Sequence, residues 1–376
     1  MLLLLALFCF TMDAWRWPWS SKASPTLVYV GTYTGEGATD SKGIYAFSFD
    51  DAKSVITPLG LAVATTNASY VLIHPSQKYV FAVNEQDDGK VVAFKVASTQ
   101  TGQLTLINDQ SSRGSGPCYL STNKAGNYIF VANYNSGTVA ALPVDTTDGS
   151  VKESTGFDQQ TGSSVNPDRQ TSPHAHCILL DKREEYAVSA DLGSDQIYSY
   201  RFTPADGTLE RAGITKVPEP GNGPRHLVFS DDQEFVYVMN ELMSSITVFK
   251  YSPIMQPVQT ISTLPSNFTA FNTGAEVLVH PTSGKFLYAT NRGHDSIAVF
   301  SVDRGTGLLS LIQHMSVQGR TPRNFNILPD GNHLIVANQD SNNLVVFSID
   351  TTTGRLTATG ATAEVKTPTC IKFLNT

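Results

Sequence analysis

Residues 127–139 read NYIFVANYNSGTV: a polar start, apolar residues at consecutive positions, an Asn, a turn containing Gly, and a new apolar run. Versions recur along the chain as KYVFAVN (78–84), EYAVSAD (185–191), EFVYVMN (234–240), KFLYATN (285–291) and HLIVANQ (333–339). A degenerate copy, TLVYVGT (26–32), is read with Gly31 at the Asn position. From 31 to 338 the copies are spaced by about 51 residues on average, within the range of propeller and solenoid repeats.

Each copy holds four strand-like runs. One apolar run precedes the signature, as at 70–74 and 226–229, and another follows it, as at 91–96, 197–202 and 344–349. A Gly-containing turn then leads to a short strand: TGQLTLI, DGSVKES, DGTLERA, TGLLSLI and TGRLTAT, with Gly102, Gly149, Gly207, Gly307 and Gly354 free to take the positive φ of a tight hairpin. The fifth copy carries Pro253 and Pro257 instead. No long stretch has helical periodicity. Four antiparallel strands repeated seven times predict an all-β chain, a seven-bladed β-propeller. The consecutive apolar positions of the inner strands fit blades buried on both faces. The first copy lacks its innermost strand, and TPTCIKFL (367–374) is expected to supply it and close the ring.

Such a ring lets 26–376 be one domain despite its length. The ten residues that begin the chain, MLLLLALFCF, are too short to span a bilayer and resemble the apolar part of a secretory leader. Residues 1–25 are therefore read as a leader, and the chain as secreted if it is cleaved and cytoplasmic otherwise. The competing readings are an uncleaved anchor and a misassigned start codon. No stable membrane insertion is expected of residues 26–376. The net charge of −7 and the lack of any basic run argue against nucleic-acid binding. Cys118, Cys177 and Cys370 lie in strand-like runs with no metal spacing and are expected as buried free thiols. Oligomeric state is not legible.

If the strands of a blade are named A to D outward from the channel, the starts of A and the ends of B share one mouth. A small-molecule site is expected there. The A starts read GPCYL, SPHAHC, GPRHLV, GAEVLV, TPRNFN and TPTCIK, and carry His174, His176, Arg225, His226, Glu276, Arg323 and Asn324. The residues just past B are Glu85, Tyr134, Leu192, Glu241, Arg292 and Gln339. Titratable groups from different blades thus converge on one mouth, a functional-site signal. The recurrent Asn or Asp, shared by six copies, is read as a turn cap. Glu85 and Glu241 could merely pair with an arginine, with a direct role for Glu241 equally open, and Arg225, Arg292 and Arg323 could be inter-blade ion pairs. Three arginines at one mouth favour an anion site. His174 and His176, two apart on a strand, point to the same side. They could be half a metal site, but no third ligand is apparent. His74 and His280, in His-Pro turns, are read as surface residues. Two long connections, 158–173 and 263–274, overhang the mouth as candidate lids.

The segments 166–180, 190–202, 221–242 and 321–347, with VGTYT (30–34) and VANYNSGTV (131–139), resemble the seven-bladed propeller lactonases. These include the propeller-type 6-phosphogluconolactonases and the 3-carboxy-cis,cis-muconate lactonizing enzymes. The resemblance runs over essentially all of 26–376. It implies active-site roles for His174 or His176 in the Pro-His-x-His motif, Arg225 in Gly-Pro-Arg-His, Glu241 in Asn-Glu-Leu, and Arg292 after a later strand B. It implies no metal and no cofactor.

The expected activity is hydrolysis of a sugar lactone. Arg225 or Arg292 would stabilise the oxyanion, and Glu241 or His176 would deprotonate water. Arg323 would grip a phosphate or carboxylate. Asn324, Glu85, His226 and Glu276 are taken as further substrate contacts. The alternatives are lactone closure on a carboxy-muconate and a non-catalytic binding propeller.

Overall fold

The computed structural model describes residues 25–374 apart from 36, 38 and 39. The leader-like run lies outside them. Seven four-stranded antiparallel sheets form the blades. Blade 1 orders as β28 (Pro368–Leu374), β1 (Thr26–Thr32), β2 (Gly43–Asp50) and β3 (Val55–Ala64). The other six each take four consecutive strands. Their inner strands are β4 (Val71–Ile73), β8 (Pro117–Thr122), β12 (Ala175–Leu180), β16 (Pro224–Phe229), β20 (Thr273–Val279) and β24 (Pro322–Ile327).

The second strands explain why the apolar runs do not alternate. In β9 (Tyr128–Asn133) every residue is buried. Ile129 and Val131 pack into the core shared with blade 2, while Phe130 and Ala132 pack into the core shared with blade 4. In β25 (His333–Asn338), Ile335 and Ala337 face blade 1 while Leu334 and Val336 face blade 6. The period of two is present, but both faces need apolar residues.

The hairpin glycines add contact between blades. Gly149, Gly207, Gly307 and Gly354 all have φ of +74 to +80°. A Cβ on any of them would fall 2.4 Å from the Tyr79, Tyr128, Phe235 or Phe286 ring of the preceding blade.

The ring closes as expected. β28 pairs antiparallel with β1, with Val28 opposite Phe373 and Val30 opposite Ile371. Ile371 enters the core between blades 7 and 1, and Cys370 and Leu374 that between blades 1 and 2. Cys118, Cys177 and Cys370 are buried free thiols. No helix among the described residues is long and apolar enough to cross a membrane.

Two readings change. His74 and His280 are buried, because each donates to a carbonyl of the next blade: His74 Nε2 to Gly126 O and His280 Nε2 to Gly331 O, both at 3.0 Å. Thr32, not Gly31, ends β1 as Asn84 ends β5 (Tyr79–Asn84), so the first copy's register is one residue later than read.

Candidate active site

Six of the seven inner strands carry a bulge near the mouth. The extra residues fall at Thr369, Cys118, His176, Arg225–His226, Ala275–Glu276 and Arg323. A bulge breaks the alternation of side chains and re-aims one of them. Most of these residues are the ones whose side chains line the channel. Gly116, Gly223, Thr321 and Thr367, each just before the Pro that starts its strand, have φ of +44 to +65° and set up the bend. The Asn caps stay structural: Asn133 Nδ2 donates to Ser112 O and Thr138 Oγ1, and Asn338 Nδ2 to Val317 O.

Glu241 is the hub. Its Oε2 lies 3.1 Å from Arg225 Nε and 3.0 Å from Arg292 Nη2, and its Oε1 lies 2.8 Å from Arg169 Nη2. The three arginines form a ladder in depth: their side chains are 3%, 13% and 38% exposed in the order Arg225, Arg292, Arg169. Backbone carbonyls hold the lower two, Ala275 O for Arg225 and Gly274 O for Arg292, each at 2.8 Å. Burial pushes the Glu241 carboxyl up, but Arg292, Arg225, His176 and Arg169 outweigh it and hold it well below the usual carboxylate range. Burial and the neighbouring Arg225 and Arg323 bring Arg292 down to about 10, despite Glu241.

Across the channel, Arg323 Nη2 donates to Tyr33 Oη at 2.8 Å, and Tyr33 donates to Glu85 at 3.0 Å. Ser69 Oγ also donates to Glu85. Between these groups lies a cavity of about 430 Å³, within the range of small-molecule sites. Glu85, Cys118, Tyr134, Arg169, His176, Glu241, Phe271, Thr273, Arg292 and Arg323 line it.

The structure therefore brings His176, Glu241, Arg292, Arg323 and Glu85 onto one cavity, with Arg225 supporting Glu241 from below. His174 is separated from them. It precedes β12, stacks on Tyr134 at 4.5 Å, and its Nδ1 lies 2.9 Å from Tyr134 O. The bulge at His176 is why the two histidines do not share a side. Burial, with Arg225 and His226, lowers the His176 pKa well below its ordinary value, so the ring is neutral at pH 7. His226, Glu276 and Asn324 lie deeper, outside the open cavity, as a bonded group: His226 Nδ1 is 2.8 Å from Glu276 Oε1, and Asn324 Nδ2 donates to Glu276 Oε2. Among the described residues, no group of three or more His, Cys, Asp or Glu side chains is placed to hold a metal ion.

Sequence reasoning missed Arg169, Phe271 and Cys118 as cavity residues, and Tyr33 as the bridge between Arg323 and Glu85. Arg169 and Phe271 come from the two long connections, whose positions no periodicity reveals. Tyr33 was hidden by the register of the first copy; with Thr32 as the strand end, it occupies the same place as Glu85 and Glu241. Cys118 is the bulged residue of its strand.

The family described as lactonase, 7-bladed beta-propeller, matches residues 27–373. A 6-phosphogluconolactonase of Bacillus subtilis is 35% identical over 92% of this chain and 98% of its own length. A second, from Formosa agariphila, is 33% identical over 88% of this chain and 94% of its own length. Among solved structures, the periplasmic gluconolactonase of Pseudomonas aeruginosa is 33% identical, with a TM-score of 0.86 over 93% of this chain and 99% of its own.

Proposed function

The chain belongs to the seven-bladed β-propeller lactonases, and we propose on that premise that it hydrolyses an anionic sugar lactone, 6-phosphogluconolactone or a related aldonolactone. One observation carries the choice of an anion. Four guanidiniums, Arg169, Arg225, Arg292 and Arg323, meet at this mouth with two carboxylates, Glu241 and Glu85. The surplus is positive in a chain whose net charge is −7. A forked guanidinium suits phosphate or carboxylate oxygens.

The residues divide the work by their surroundings. Arg292, aimed into the cavity and fixed by Glu241 and Gly274 O, would face the lactone carbonyl and stabilise the oxyanion as it forms. Arg225 acts beneath it, holding Glu241 and the floor. Arg323, whose hydrogen bond among the described residues goes to Tyr33, would take the anionic end of the substrate. Glu241 remains ionised and bound by arginines, so it is a poor proton acceptor and a good anchor. That removes Glu241 as the base for water and leaves the neutral imidazoles of the channel. Phe271, 85% exposed on the cavity rim, would cover the ring of a bound sugar.

Ring opening of 6-phosphogluconolactone, followed as acid release with a chelator present, tests this reading. The full chain should accelerate it, and Arg225→Ala should lower kcat about 100-fold or more while the propeller stays folded by circular dichroism. Unchanged turnover in the variant would remove the assignment. Export is proposed separately: N-terminal sequencing of secreted protein should begin near residue 26.

A further inference from the structure

Beneath the open cavity the channel holds a chamber of about 10 Å³ whose walls include Ser69, Cys118, Arg225, His226, Arg323 and Asn324. That is room for about one water. Cys118 and Arg323 wall both spaces, so the chamber adjoins the floor of the cavity. His226, 3% exposed, turns Nδ1 to Glu276, and its Nε2 has no hydrogen-bond partner among the described residues. Glu276 is itself fixed: Asn324 Nδ2 donates to Oε2 and Val277 N to Oε1 at 3.1 Å. Asn324 in turn accepts from Ile371 N at 2.8 Å. The His226 ring is wedged between Tyr119 and His176, with centroids 5.0 and 5.1 Å away. A buried ring nitrogen held unpaired, with a carboxylate behind the opposite nitrogen, is arranged as a base rather than as a core contact.

We infer that His226 Nε2, backed by Glu276, holds a water in this chamber and takes its proton as the water attacks the lactone carbonyl. The inference rests on the lactone-opening reading. The water oxygen bonds to the carbonyl carbon, its proton passes to Nε2, and the carbonyl electron pair moves to the oxygen facing the arginines. The intermediate then collapses, the carbon–ring oxygen bond breaks, and the proton on Nε2 passes to the leaving ring oxygen. The sum is water added across the ester. Glu276 and the Nδ1 proton keep the imidazolium stable in between.

The groups around the pair set its pH dependence. Burial disfavours a charged His226, as do Arg225 on β16, Arg323 on β24 and Lys372 on β28, while Glu241 favours it. His176 lies on the cavity side, and Tyr70 and Tyr119 pack edge-on against the His226 ring, their hydroxyls pushed far up by burial. Burial raises the Glu276 carboxyl to about 6, against Arg225 and Lys372. Below that pH Glu276 is neutral and its support for the imidazolium is gone.

The test is the pH profile of kcat in the full chain and in His226→Gln and Glu276→Gln, beside the imidazole ¹⁵N spectrum. His226→Gln should lose about 100-fold or more in kcat with KM changed less than about threefold. The unsubstituted chain should lose activity as pH falls through about 6, and Glu276→Gln should be slower and flat across that range. A His226→Gln kcat within about threefold of the unsubstituted value, or an unaltered acid limb in Glu276→Gln, would overturn the inference. The spectrum tests the same point without turnover: His226 should carry its proton on Nδ1 at pH 7, and a proton on Nε2 would overturn the inference. If the unsubstituted chain opens no lactone, the functional reading fails, and the tautomer still decides the base.

Discussion

Glu241 is where three guanidiniums meet, and its environment decides what it can do. A carboxylate held far below its ordinary range carries no proton near neutrality, so it orients Arg225, Arg292 and Arg169 instead of moving protons. Glu241→Gln should lower kcat/KM by about 100-fold and cost about 3 kcal/mol of stability, because Arg225 is left buried without its counter-ion. The pH dependence follows from the sign of the shift. The folded value lies below the unfolded 4.5, so this stabilisation is present above about pH 4.5 and is lost as pH falls. Thermal melts between pH 5 and 3 should therefore fall less steeply for Glu241→Gln than for the unsubstituted chain. Glu241, Arg225 and Arg292 were legible because they flank strands whose ends the repeat marks. Arg169 and Phe271 were not, because long connections are placed by tertiary contacts that leave no period in the sequence.

At the scale of the strand, the bulge converts a repeated scaffold into a specific site. Alternation alone puts His174 and His176 on one side; the extra residue in β12 sends only His176 into the cavity. Four of the six bulges are announced by Gly-Pro or Thr-Pro pairs, but the pairs do not say which following residue is extruded. Gly223 shows what the lead-in requires. Its φ is +64°, its N–H donates to Asp195 Oδ1 at 2.7 Å, and its carbonyl accepts from Glu241 N at 2.7 Å. It thus positions Arg225 and Glu241 together. A Cβ there would lie 2.6 Å from Leu242 Cγ. Gly223→Ala should cost about 1–2 kcal/mol, read from denaturant midpoints, and lower kcat/KM several-fold.

Over the whole molecule, the same period that builds the blades also forces the ends together. Blade count, strand order and closure by the last strand were all legible, because each depends on apolar runs and turn glycines repeated along the chain. Closure makes the last strand as important as any inner one. Ile371, fully buried between blades 7 and 1, should cost about 2–4 kcal/mol as Ile371→Ala, measured by urea unfolding. What periodicity leaves unread is the difference between blades at the mouth, and the chemistry lies in that difference. Equivalent positions carry Tyr33, Glu85, Tyr134, Leu192, Glu241, Arg292 and Gln339 on successive blades, and with Arg169 and Arg323 they leave a positive pocket in an acidic protein.

The claim that this pocket opens anionic lactones is tested most directly by steady-state kinetics of the full chain on 6-phosphogluconolactone and glucono-δ-lactone, each corrected for spontaneous opening. The account predicts acceleration of both, with kcat/KM about tenfold or more higher for the phosphorylated lactone and that preference abolished in Arg323→Ala. Opening of neither lactone above the spontaneous rate would contradict it.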